Sequence, residues 1–360
     1  MTRLMVVNTY YQLIVCLQLT NTFFKDDNTV LCITDHSKNS RNVAKKLSEE
    51  KIFNEVVFIE NKTLDFADKK LMRIKDSLNI SFDKTSRYNE LLMTIKTSNI
   101  DEILFYNTGY LFIDALLSFF SNSESEVLLS MFEEGILSYE FEFDFFKSRK
   151  IINRIRKIRN RKTINELTTK FYCFYPSLYV GDLNAIKIPL ISDKSTTSEQ
   201  LRKIFNPDLS NYTARYIFFT SVYDFEGGKP IGEYNLVCKV AKLVGRDNLI
   251  VKMHPRDSRT IYEDNGFNVD RNSIIPWEAI QLSGNFFDKI FLTVNSGSVL
   301  AGSFMSENPV RTYFMYKLCD FSDNLSCLRT ISNIEHLLSK DSMREVLRRV
   351  KIAEKLEDIL

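Results

Sequence analysis

No stretch of this 360-residue sequence reaches the ~20 consecutive apolar residues that a membrane-spanning helix needs. The first 24 residues are apolar only in patches, interrupted by Asn8, Gln12, Gln18 and Asn21, and lack the core and cleavage site of a signal peptide. The six cysteines, at 16, 32, 173, 238, 319 and 327, form no CxxC pair and no Cys/His ligand spacing. They read as reduced core thiols of a cytoplasmic protein, with no structural metal. A net charge of +2 gives no overall reason to expect nucleic acid as a partner. Three phosphate-binding signatures are also missing: GxGxxG, G-K-[ST] and DxD, with Asp224-Phe225-Glu226 the nearest to the last. Their absence argues against a nicotinamide enzyme, a P-loop nucleotidase and a metal-bridged nucleotide site.

What is present is alternation. In the first half Leu4–Val7, Thr29–Ile33, Glu55–Ile59, Glu102–Tyr106 and Glu126–Ser130 read as strands. Helical patterns lie over Gln12–Thr22, Ser40–Glu50, about 65–98 and 111–120. The second half repeats the scheme, with strands at Arg215–Thr220, Asn248–Val251, Lys289–Val294 and Val310–Phe314. Strands that are apolar throughout belong to parallel sheets covered on both faces. The expected class is α/β: two Rossmann-like, doubly wound parallel sheets, over 1–190 and 191–340, facing a central cleft. Pro189, Pro207 and the run Ser195-Thr196-Thr197-Ser198 mark the junction, and 341–360 reads as a charged amphipathic helix packing back on the first domain.

Ligands of open α/β sheets bind outside the carboxyl ends of the strands, so the residues that follow each strand are the candidates. After Asn248–Val251 come Lys252-Met253-His254-Pro255-Arg256. The proline holds the preceding histidine extended, and two cations with an imidazole suit a phosphate; a solvated strand tip is the plainer reading. After the strand ending at Ser130 come Glu133-Glu134-Gly135. Adjacent carboxylates in a partly dry site raise one pKa toward general-base duty, although acids are also favoured at any helix start. Asn295-Ser296-Gly297-Ser298 opens a helix and offers hydroxyls and free N–H groups to an anion, or is an ordinary cap. Thr220-Ser221 stands in a similar place. Glu278, after Pro276-Trp277, could accept hydrogen bonds from a ribose or only complement a helix dipole. The first strand delivers Tyr10, Tyr11 and Gln12 as contacts for an acceptor or sugar.

The order of these marks is specific. An acidic pair before glycine in the first domain, then Lys-x-His-Pro, Pro-x-Glu and a serine-bearing strand end in the second, resembles the bacterial two-domain (GT-B) sialyltransferases. Their D/E-D/E-G, HP and SS motifs would be Glu133-Glu134-Gly135, His254-Pro255 and Asn295–Ser298. The opening Thr9-Tyr10-Tyr11-Gln12-Leu13-Ile14 looks most like glycosyltransferase family 52, which holds capsule and lipooligosaccharide enzymes. Two departures stand out: the third motif has no adjacent serines, and the acidic pair is Glu-Glu where Asp is common.

The resemblance implies an inverting, metal-independent enzyme moving sialic acid from CMP-sialic acid to a glycan hydroxyl of a capsule or lipooligosaccharide, the acceptor being lipid-linked in some cases. His254, Lys252, Pro255, Arg256, Asn295, Ser296, Gly297, Ser298, Thr220 and Ser221 would surround the CMP phosphate, and Glu278 the ribose. Glu134, and behind it Glu133, would be the base, with Asp224 and Glu226 in reserve. The basic run 147–162 puts Ile151, Ile152, Ile155 and Ile158 on one helical face, as a peripheral anchor to an anionic membrane would. A hexosyltransferase or polyol-phosphate transferase on the same fold, and a non-catalytic sugar-nucleotide binder, are the rival readings.

Overall fold

The computed structural model describes residues 1–60, 70–82, 88–106, 111–121, 127–139, 145–226, 228–344 and 346–360. Parts of the expected helix at 65–98, and Glu126 of an expected strand, lie outside them. The chain forms two compact units, Met1–Pro189 and Leu190–Leu360.

The first unit is a seven-stranded, all-parallel sheet. Its strands are β1 (Thr2–Val7), β2 (Asn28–Thr34), β3 (Glu55–Ile59), β4 (Glu102–Phe105), β5 (Leu128–Phe132), β6 (Thr168–Cys173) and β7 (Asn184–Lys187). They lie in the order β3-β2-β1-β4-β5-β6-β7. Leu4, Met5, Val7, Leu31, Ile103 and Leu104 have no solvent exposure, as strands covered on both faces require. The helix Tyr10–Thr22 is buried from Leu13 to Leu19, and a capping box between Thr9 and Gln12 fixes its start.

The second unit repeats the winding. β8 (Tyr216–Phe219), β9 (Leu249–Lys252), β10 (Asn268–Asp270), β11 (Ile290–Thr293), β12 (Arg311–Phe314) and β13 (Val350–Ile352) form a parallel sheet. Its order is β10-β9-β8-β11-β12-β13. Each unit thus has the 3-2-1-4-5-6 order of a Rossmann-like sheet, reversing direction between β1 and β4 and between β8 and β11. At such a switch point the flanking connections leave on opposite faces and open a crevice at the carboxyl ends.

One expectation is corrected. Residues 341–360 are not a helix: a 3-10 turn leads into β13, which pairs with β12 of the second sheet, and a second 3-10 turn ends the chain. Pairing with β12 satisfies the inward-facing backbone groups of Val350–Ile352, and Ala353 and Ile359 are buried. Among the described residues no helix is long and apolar enough to cross a membrane.

Candidate active site

In the first unit β5 ends at Phe132, and its connection turns at Gly135, whose φ of +93° is a conformation that favours glycine. The turn sends the two glutamates to different environments. Glu133 has no exposure. Its carboxylate accepts from the Tyr11 hydroxyl at 2.5 Å, from the Tyr139 hydroxyl and from the Phe174 N–H at 2.9 Å. Burial outweighs these donors and pushes its pKa up to about 7. A carboxylate with this many internal partners holds the turn together.

Glu134 is only half-buried. Its N–H donates to the Ser138 hydroxyl at 2.7 Å, and its carboxylate is hydrogen-bonded by the Gln12 and Thr9 side chains, with His36 close by. The capping box explains this orientation. Gln12 Oε1 accepts from Asn8 N–H at 2.6 Å, leaving its amide hydrogens for Glu134, and Thr9 Oγ1 accepts from Gln12 N–H, leaving its hydroxyl hydrogen. Partial burial nevertheless raises the Glu134 pKa above the usual carboxylate range. Geometry therefore singles out Glu134 as the open carboxylate of the pair.

The expected contacts around it are committed inward. The Tyr10 hydroxyl donates to the Lys38 carbonyl, Tyr11 holds Glu133, and Gln12 is 2% exposed. Sequence reasoning missed His36, which follows β2, and Tyr106, which follows β4 and bonds Ser138 beside Glu134. Both sit just beyond strand ends, a signal that the sequence did carry.

In the second unit the tip of β9 divides. Lys252 is buried, and its Nζ donates to Asp270 Oδ2 at 2.8 Å and to the Asn272 carbonyl at 2.5 Å. The register pairs Asp270 with Lys252 directly. A lysine inside a covered sheet needs such a counter-ion, so Lys252 is a structural cation here, not the phosphate clamp that the sequence suggested. Lys252→Met should accordingly destabilise the fold by about 3 kcal/mol in urea titration, because Asp270 loses its cation. A phosphate clamp would instead lose nucleotide affinity at unchanged stability.

His254 is half-buried beyond the strand, its N–H donating to the Thr220 hydroxyl at 2.8 Å. Its Nδ1 accepts from the Arg256 N–H at 3.2 Å, which in the neutral ring places the proton on Nε2. Burial and the Arg256 charge lower its pKa, so the neutral form prevails at pH 7. Pro255 and Arg256 are exposed, and the Arg256 guanidinium pairs with Glu226 at 2.8 Å.

Other expected residues separate in the same way. Thr220 is spent on positioning His254, and Ser221 is buried with its N–H on the Glu233 carboxylate. Asn295 is buried against Cys327. Ser296 is half-exposed, and Gly297 and Ser298 are exposed at the start of the helix Ser298–Met305. Glu278, on the first turn of the helix Trp277–Ser283, is half-buried, and loss of water raises its pKa.

Asp224 accepts the N–H groups of Ile231, Gly232, Glu233 and Tyr234. It caps the helix Glu233–Val244 and so is not a spare base. Glu226 is held by Arg256. Glu233, unmentioned by any motif, is fully buried with its pKa pushed up to about 8, chiefly by burial.

The basic segment packs by its apolar stripe. In the helix Phe145–Ile158 the side chains of 145–151 lie outside the described set; beyond them Ile152 is buried, Ile155 half-buried and Ile158 exposed. Arg156 is buried as well, donating to the Lys162 carbonyl. Among the described side chains, then, the stripe turns inward at Ile152 and outward at Ile158, beside exposed Arg154 and Lys157.

Comparison with known proteins gives a family and a fold. The family model described as alpha-2,8-polysialyltransferase (POLYST) matches residues 3–280. A sialyltransferase from Photobacterium damsela has a TM-score of 0.51 at 12% identity, over 98% of this chain and 81% of its own. A Listeria monocytogenes protein assigned as a UDP-N-acetylglucosamine 2-epimerase has a TM-score of 0.46 at 11% identity, over 97% of this chain and 91% of its own. No curated protein matches in sequence.

Proposed function

This chain belongs to the alpha-2,8-polysialyltransferase family, and from that premise we propose an inverting, metal-independent transfer of sialic acid from CMP-sialic acid to a hydroxyl of a sialylated glycan. Membership makes it a glycosyltransferase, which leaves the non-catalytic binder behind. The expected resemblance to bacterial two-domain sialyltransferases holds, with the polysialyltransferase family as the one matched. The observation that carries the donor assignment is His254, a neutral imidazole whose Nδ1 is occupied and whose Nε2–H is left as a donor beyond β9.

The leaving group of CMP-sialic acid is a phosphate of low basicity, so it needs charge stabilisation more than a strong acid. His254 Nε2–H, the Arg256 guanidinium and the Ser296 and Ser298 hydroxyls supply it in this reading, and Glu278 takes the ribose diol. The Arg256 cation and these neutral hydrogen-bond donors do the work for which a DxD enzyme recruits a metal. Glu134 removes the proton of the attacking acceptor hydroxyl, and partial burial, by raising its pKa, makes it a stronger base than a solvated carboxylate. A cell-surface polymer such as a capsular polysaccharide or lipooligosaccharide, lipid-linked or free, is the acceptor class.

Nucleotide selectivity tests the donor assignment. CMP at about 100 times its dissociation constant should stabilise the chain by about 2.7 kcal/mol, visible as a rise in melting temperature, with UDP, GDP and CDP giving much less. Equal stabilisation by UDP would point to a hexosyltransferase, and stabilisation by CDP above CMP to a polyol-phosphate transferase.

A further inference from the structure

The amino-terminal edge of the second sheet, opposite the donor site, carries a row of unexplained cations. Arg215 immediately precedes β8, Lys289 precedes β11, Arg311 opens β12 and Arg349 precedes β13. These four strands are consecutive neighbours in register, with Tyr216 against Ile290, Ile290 against Arg311 and Thr312 against Val350. Neighbouring strands lie about 4.8 Å apart, so the row spans roughly 14 Å. It lines a cavity of about 470 Å³ in which, among the described residues, Asp288 is the one acid.

Like charges on adjacent strands repel, so stability alone would not select this row. The first sheet shows the ordinary solution at its own amino edge: Arg3 is paired with Glu102 at 2.7 Å and with Asp27. In the second sheet, among the described residues, Arg215, Arg311 and Arg349 form no ion pair. Lys289 donates to the carbonyls of Thr213 and Ala214, each at 2.8 Å, and so serves the backbone. Arg349 stacks on the half-open ring of Phe287, 4.2 Å from its centroid. Arg311 and the exposed Arg348 nearby add to burial in lowering its pKa. Lys289 and Arg349 are thus held in place and half-buried, Arg311 is half-buried, Arg215 is exposed, and the cluster is short of negative charge.

We infer that this edge is a second anion site, taking a phosphate compound of two or more negative charges. Planar guanidinium forks fit phosphate oxygens in pairs, and three of them beside one carboxylate need more than a monoanion. A soluble polyphosphorylated metabolite and a phosphoinositide-like headgroup share that chemistry. The site does not depend on which sugar nucleotide the carboxyl-end site takes.

Titration calorimetry of the full chain with inorganic pyrophosphate tests it. Arg215→Gln/Arg311→Gln should weaken binding by about tenfold or more, the loss of at least one charge-assisted contact, while His254→Ala leaves it within about twofold. The double variant should melt no lower than wild type, since the substitutions relieve repulsion. Absence of pyrophosphate binding, or binding lost in His254→Ala and kept in the double variant, would overturn the inference. Co-sedimentation with phosphatidylcholine vesicles containing phosphatidylinositol bisphosphate separates the two sources. Capture that the double variant loses assigns a headgroup, and pyrophosphate binding without capture assigns a soluble phosphate.

Discussion

Glu134→Gln is expected to lower sialic acid transfer from CMP-sialic acid by about 10²–10⁴-fold, the usual worth of a general base, with CMP affinity and melting temperature nearly unchanged. The substitution keeps the shape and one acceptor oxygen toward Gln12 and Thr9 but removes the proton acceptor. Only the ionised carboxylate can act as base, so activity should fall as the pH drops through the Glu134 pKa. Partial burial raises that pKa, which places the acid limb of the profile above the ordinary carboxylate range. Glu133→Gln is the control. Glu133 is sealed by Tyr11, Tyr139 and Phe174 and touches no open space, so its loss should act on folding rather than on the chemical step. If Glu133→Gln abolished transfer in a folded protein and Glu134→Gln did not, the two roles would be reversed.

His254→Ala should cost a similar factor, about 10²–10⁴ in kcat, and here the nature of the loss is informative. Nδ1 is occupied by the Arg256 N–H, so the neutral ring donates through Nε2 without having to ionise. Its pKa is lowered, so this form persists across neutral and alkaline pH. A hydrogen-bond donor of this kind predicts kcat/KM that stays level on the alkaline side, and partial rescue in His254→Gln, whose amide N–H can stand in for Nε2–H. Proton donation to the departing phosphate predicts the opposite: an alkaline limb and no rescue. The low basicity of the leaving group favours the first outcome. Thr220 belongs to the same unit, because its hydroxyl fixes the His254 backbone.

The strands, and the places of Glu134 and His254 just beyond two of them, could be read from the sequence because both rest on local signals. β1 to β5, β8, β9, β11 and β12 are apolar runs between polar segments, and His254 and Glu134 each follow one of them. What escaped notice depends on partners far away in the chain. β6 mixes Thr168, Thr169 and Lys170 with apolar residues, and β7 and β13 are short edge strands held by pairing rather than by burial of a continuous apolar run. Lys252 looked like a phosphate ligand because nothing local reveals Asp270, 18 residues on, as its counter-ion. Asp224 resembled a spare base for the same reason: its four N–H partners, Ile231 to Tyr234, lie at the start of a helix that begins nine residues later. The basic run of 147–162 kept its periodicity, but its apolar stripe packs inward at Ile152.

The most direct test of the account is a transfer assay with CMP-sialic acid and an oligosialic acid acceptor in the presence of EDTA, with products resolved by chain length. The account predicts sialic acid transfer to the acceptor, undiminished by the chelator and reduced about 10²-fold or more in both Glu134→Gln and His254→Ala. Elongation that requires a divalent cation, or that survives both substitutions at near wild-type rate, would contradict it.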